Sequence, residues 1–135
     1  FFAGTVVFEL LGSCLVIPLA EELLYRSYLM VTIARRYSMT VAVLISAVIG
    51  ALPYAAGAVE APLAFLNGML FGIFAALYLI RRGNIWGIGA FHAAWSFVRD
   101  IVFGTPDQVA TVVVLLVGMI LVGGKRPWGK AESCC

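Results

Sequence analysis

Charge is what this sequence has least of: 12% of its 135 residues are Asp, Glu, Lys or Arg, where a soluble domain carries about 25%. The shortage excludes a disordered, solvated chain and leaves little to cover a water-facing surface. Cysteine is scarce too. Three residues, Cys14 and the terminal pair Cys134 and Cys135, make no disulfide framework. No basic run interleaves with aromatics, and a net charge of +2 is too small to recruit a polyanion, so nucleic acid is not an expected partner. Starting Phe1-Phe2 with no Met and no basic leader, the chain reads as a piece of a longer membrane protein with no signal peptide in view. The Cys134-Cys135 tail has no C-a-a-X pattern and reads as an unmodified, reduced end.

What is present is apolar. Hydrophobic residues make up 63% of the chain, and the mean hydropathy is +1.04. A chain this short cannot bury that much apolar surface in water, because small domains bury the smallest fraction of theirs. The expected solvent is therefore a lipid bilayer. Five apolar stretches follow one another: Ala3 to Ala34, Met39 to Ala58, Ala61 to Ile80, Ile85 to Val102 and Val109 to Gly123. A helix rising ~1.5 Å per residue crosses ~30 Å of hydrocarbon in roughly 20 residues. Strand-like alternation is absent, so the expected fold is all-α: a polytopic transmembrane helical bundle with about five crossings, forming a single membrane-embedded domain over residues 1–135.

Basic residues set the expected orientation. Arg35 and Arg36, Arg81 and Arg82, and then Lys125, Arg126 and Lys130 fall on one side of a five-crossing chain. By the positive-inside rule that side is cytoplasmic, with the N-terminus outside and the C-terminus inside.

Several polar residues sit where lipid would penalise them. Helical rise places Arg26 roughly 14 Å, and Glu21 and Glu22 roughly 20 Å, from the Arg35-Arg36 boundary. His92, the one histidine, lies roughly 15 Å from Arg82; Asn67 and Tyr54 come out near 21 and 22 Å on their own helices. A charge at mid-membrane costs about 2.5–3.5 kcal/mol, so these groups should face the bundle interior or a water-filled cavity. Glu22 and Arg26, four apart, share a helical face and can pair. Glu21 is turned ~100° away and can face another group, a placement that suits a general base. Three readings of such a layer stay open at this point: an enzyme site, a register-fixing ion pair in a binding scaffold, and an ion or proton pathway.

The run Pro18-Leu-Ala-Glu21-Glu22-Leu-Leu-Tyr-Arg26 resembles the Glu-Glu-x-x-x-Arg signature of the CPBP family, the CAAX-protease and bacteriocin-processing membrane endopeptidases also called Abi proteins. The likeness extends over about Val16 to Phe97. It implies an intramembrane endopeptidase of a prokaryotic plasma membrane, with a peptide or prenylated protein as substrate. Glu21 would activate water, while Glu22 and Arg26 would organise the site. His92 and Ser96, in His92-Ala-Ala-Trp-Ser96, match the third motif, whose residues stabilise the oxyanion. The second motif, Phe-x-x-x-His, falls on Gly50 and Tyr54 or, shifted by one, on Ile49 and Pro53; neither register restores the family's histidine, and the first puts tyrosine in its place. Ser96 replaces the third-motif asparagine. No cofactor is expected: without a His-Glu-x-x-His run, Glu21, Glu22 and His92 form the one candidate set of divalent-metal ligands. A relative that binds membrane proteins without cleaving them is the alternative that the missing histidine raises.

Overall fold

A computed structural model describes residues 2–55, 61–98 and 108–123, all of them in helices or the short turns between helices. The predicted ends of the second and fourth stretches (56–58 and 99–102), the acidic residues Glu60, Asp100 and Asp107, the cation Arg99, and the tail with Lys125, Arg126, Lys130, Cys134 and Cys135 lie outside the described residues.

The first helix, α1, runs unbroken over residues 2–34 but changes pitch along the way. It is α-helical over Phe2–Leu11, Ile17–Glu22 and Val31–Ala34, and π-helical over Gly12–Val16 and Leu23–Met30. Pro18 accounts for the first wide turn. Its ring clashes with the carbonyl four residues back and offers no N–H, so the preceding turn opens and the helix continues beyond it. The second wide turn carries Tyr25 and Arg26; such turns recur where a helix presents functional groups.

Four more helices follow: α2 (Met39–Ala55), α3 (Ala61–Arg82), α4 (Ile85–Phe97) and α5 (Gln108–Gly123). The turn from α3 to α4 is chemically explicit. Gly83 takes φ 64° and its N–H closes on Leu79 O at 2.7 Å, ending α3 where a side chain would be strained. The Asn84 side chain then accepts from the N–H groups of Trp86 (3.0 Å) and Gly87 (3.2 Å), starting α4 at the next residue, Ile85.

Helix α3 is central, packing on α2, α4 and α5, while α1 packs on α2 and α4. Small residues allow the closest approaches. A Cβ on Gly72 would lie 2.9 Å from Ala47 Cα, and one on Gly68 3.3 Å from Ala51 Cα, so the α2 and α3 backbones are nearly in contact. One core cluster joins Met30 of α1, Ala42 and Val43 of α2 and Ala76 of α3. It ties the end of α1 to the end of α3, which brings Arg35 and Arg36 to the same end of the bundle as Arg81 and Arg82. A second cluster, Phe74, Ala75, Ile88 and Leu115, joins α3, α4 and α5.

The distribution of residues is inverted relative to a water-soluble protein. Phe8, Leu24, Leu52, Ile120 and Leu121 are exposed, whereas Glu22, Arg26, Ser46, Asn67, His92 and Ser96 are buried. Among the described residues, Pro62–Arg82 is the one helix long and apolar enough to cross a membrane; Met39–Ala55 and Ala110–Val122 are apolar but shorter. Trp86 is exposed near the basic end.

Candidate active site

Glu21, Tyr25 and Arg26 of α1, Gly50 and Tyr54 of α2, Asn67, Gly68 and Phe71 of α3, His92 and Trp95 of α4, and Thr111 and Leu115 of α5 line one cavity of about 270 Å³. Every helix contributes. Glycine makes room where α1 meets α4, since a Cβ on Gly89 would lie 2.5 Å from Leu19 Cδ2.

The ionisable groups form a chain through this site. Glu22 is fully buried beneath it, and its Oε1 lies 2.9 Å from His92 Nδ1. An ionised carboxylate only accepts, so in the neutral ring Nδ1–H donates and the lone pair falls on Nε2. The other Glu22 oxygen, Oε2, lies 3.3 Å from Arg26 Nε; neither atom has an aligned hydrogen bond there, so the contact is an ion pair between two buried groups. Glu21 is the outer carboxylate: its side chain is 31% exposed, and its Oε2 lies 3.8 Å from His92 Nε2. That spacing is beyond a direct hydrogen bond and is of the size a bridging water spans. Phe71 covers one face of the imidazole, the ring centroids 4.3 Å apart and tilted by 47°. Among the described residues no group of three or more His, Cys, Asp or Glu side chains is arranged to hold a metal ion.

Residues 3–98 match the family model described as type II CAAX prenyl endopeptidase Rce1-like. The chain belongs to that Rce1-like family. No curated protein and no solved structure matches it. The family is one of membrane-embedded proteases, and the match spans the Glu-Glu-x-x-x-Arg run and the His92 segment that carried the resemblance in the sequence.

Of the residues singled out in the sequence, the structure brings together Glu21, Glu22, Arg26, Tyr54 and His92. Ser96 is set apart: it is buried at 3% exposure, but Trp95 rather than Ser96 reaches the cavity wall. Asn67, which helical rise puts in the same layer but no motif carries into the site, lines the cavity as well. Tyr25, Phe71, Trp95, Thr111 and Leu115 went unmarked, because aromatic, apolar and hydroxyl side chains are ordinary in a lipid-facing helix. Their one sequence signal was spacing: Phe71 follows Asn67 by four residues, on the same face of α3.

Proposed function

We propose that this protein is an intramembrane endopeptidase of the CAAX-protease type, cleaving a peptide bond near the end of a membrane-associated, prenylated substrate with water activated at Glu21. The observation that carries this reading is the chain Glu21–His92–Glu22–Arg26, running from the wall of one cavity to the buried Glu22 beneath it, within a core that matches a CAAX endopeptidase family. In the proposed arrangement the five helices cross the bilayer, with the Arg35-Arg36 and Arg81-Arg82 end in the cytoplasm.

A water held ~2.8 Å from both Glu21 Oε2 and His92 Nε2 gives each acceptor one of its hydrogens. Its remaining lone pairs then face the cavity. As the water oxygen bonds to the scissile carbonyl carbon, one proton passes to Glu21 and the carbonyl oxygen becomes an oxyanion. Glu21 then returns the proton to the departing amine as the C–N bond breaks, and the new carboxylic acid gives the second proton of the water to that amine, leaving a carboxylate and an ammonium group. Glu22 acts through His92: its bond at Nδ1 fixes the tautomer and the ring plane, and Arg26 neutralises Glu22. Tyr54 stands in the wall where the family's second histidine would be, leaving His92 as the one imidazole at the water.

The test is cleavage of a quenched-fluorophore peptide, carrying a farnesylated cysteine three residues before its C-terminus, by full-length protein in phospholipid vesicles. Glu21→Gln should lose at least ~10² in rate. Turnover at the unmutated rate would overturn the assignment. Tyr54 is also the specific observation behind a second reading, a non-cleaving relative that binds membrane proteins. Partner capture that survives loss of both Glu21 and His92, from a protein that cleaves nothing, would favour it.

A further inference from the structure

Besides the acceptors Glu21 and His92, the cavity wall carries five neutral side chains that can donate, Tyr25, Tyr54, Asn67, Trp95 and Thr111, and Asn67 is the single amide among them. Glu21 is a carboxylate, His92 presents a lone pair at Nε2, and Arg26 is held by Glu22 at 3.3 Å. Water attack nonetheless creates a negative oxygen, and in a low-dielectric site that charge needs a preorganised donor. Ser96, the serine at the third-motif position, does not line the cavity.

Asn67 does. It lies on α3 rather than on any of the three motif-bearing helices α1, α2 and α4, is 7% exposed, and shares the wall with Glu21, Tyr54 and His92. Phe71, one turn further along the same face, rests its ring on His92 at 4.3 Å. One turn is ~6 Å of rise, so Asn67 stands about that far along α3 from the residue that covers the imidazole. A span of this size accommodates a carbonyl whose carbon is ~3 Å from the attacking water and whose oxygen is ~3 Å from a donor.

The support beneath Asn67 is stiff. Gly68, its neighbour, sits where an added Cβ would lie 3.2 Å from Ala51 Cβ and 3.0 Å from the Tyr54 ring, and Gly72 presses on Ala47 one turn later. The α2 and α3 backbones therefore cannot slide without a clash, and the amide is held at fixed depth. A side chain carried on such a close backbone contact loses little in geometry when charge develops. Neutrality matters as well, because an amide stabilises an oxyanion without drawing the proton from Glu21 or adding a third charge to the cavity.

We propose that the Asn67 side-chain amide donates to the oxyanion of the tetrahedral intermediate, taking on α3 the place that Ser96 does not reach from α4. This rests on the peptidase reading above, and it makes Asn67 a catalytic residue outside the Glu-Glu-x-x-x-Arg and His92 segments.

The experiment measures kcat and KM on the farnesylated peptide in phospholipid vesicles for the unmutated full-length protein, Asn67→Asp and Asn67→Leu. Asn67→Asp keeps the shape and removes the donor. Asn67→Leu removes all polarity and suits a membrane helix, so it serves if the aspartate variant does not fold. The expected result is a ~10²–10³-fold loss in kcat with KM within about threefold, because the bond forms only in the transition state. A folded Asn67→Asp or Asn67→Leu with unmutated kcat removes this inference and leaves the peptidase standing. A Ser96→Ala loss larger than that of Asn67→Leu overturns it too, returning the donor to α4. An unmutated protein that cleaves nothing overturns both readings together.

Discussion

Removing Glu22 alone tests how the buried charges hold the bundle together. Glu22→Leu leaves Arg26, 4% exposed, without the carboxylate 3.3 Å away, and takes the acceptor at 2.9 Å from His92 Nδ1. Stranding one member of a buried ion pair costs about 3–5 kcal/mol, or roughly two to four decades in the folding equilibrium. Replacing both members by apolar residues of similar size is close to neutral or stabilising in comparable pairs, although here His92 would still lack its acceptor at about 1–3 kcal/mol. The double variant Glu22→Leu/Arg26→Leu is therefore expected to recover at least half of the loss. Equilibrium unfolding in detergent micelles, followed by tryptophan fluorescence, yields the four corners of the cycle. A double variant whose loss equals the sum of the two singles would refute the reasoning, because it would mean that the two charges do not compensate each other. Both variants should also be inactive, since neither holds the imidazole in its observed orientation.

Gly72→Val should loosen the α2–α3 contact, where even a bare Cβ would meet Ala47 Cα at 2.9 Å and Arg26 Nη2 at 3.2 Å; about 1–3 kcal/mol of destabilisation in the same micelle assay is expected. Tyr54→His places an imidazole in the cavity wall where the family has one, and kcat on the farnesylated peptide should rise at least tenfold; a fall would show that the tyrosine has its own task. Asn84→Ala removes an N-cap that satisfies two backbone N–H groups and should cost ~1 kcal/mol with kcat unchanged, read by melting and turnover on the same sample.

Much of the architecture could be read from composition alone, because apolar runs bounded by arginine pairs or glycine-asparagine turns leave few choices for where helices end. The site was legible as far as each residue's cost could be seen. Glu21, Glu22, Arg26 and His92 are expensive in lipid one at a time, and helical rise put them in one layer together with Tyr54 and Asn67. Three things lay beyond that reasoning. The π-helical turns of α1 are one, since spacing rules assume an α pitch; the pairing of Glu22 with His92 as well as with Arg26 is another, a contact between helices that spacing along one segment does not give. Ser96 illustrates the third. A spacing of four puts it on the face of His92, yet the wall beside His92 is filled by Trp95, a packing result that no periodicity shows.

The chain has one histidine, so a nitrogen-15 NMR spectrum of histidine-labelled protein in micelles reports on His92 alone. With Glu22 accepting from Nδ1 and Nε2 turned toward Glu21, the expected spectrum has a protonated Nδ1 and a lone pair on Nε2, and Glu22→Leu should abolish that preference. A proton on Nε2 with a bare Nδ1 facing Glu22 would contradict the arrangement from which the water-activating role of Glu21 follows.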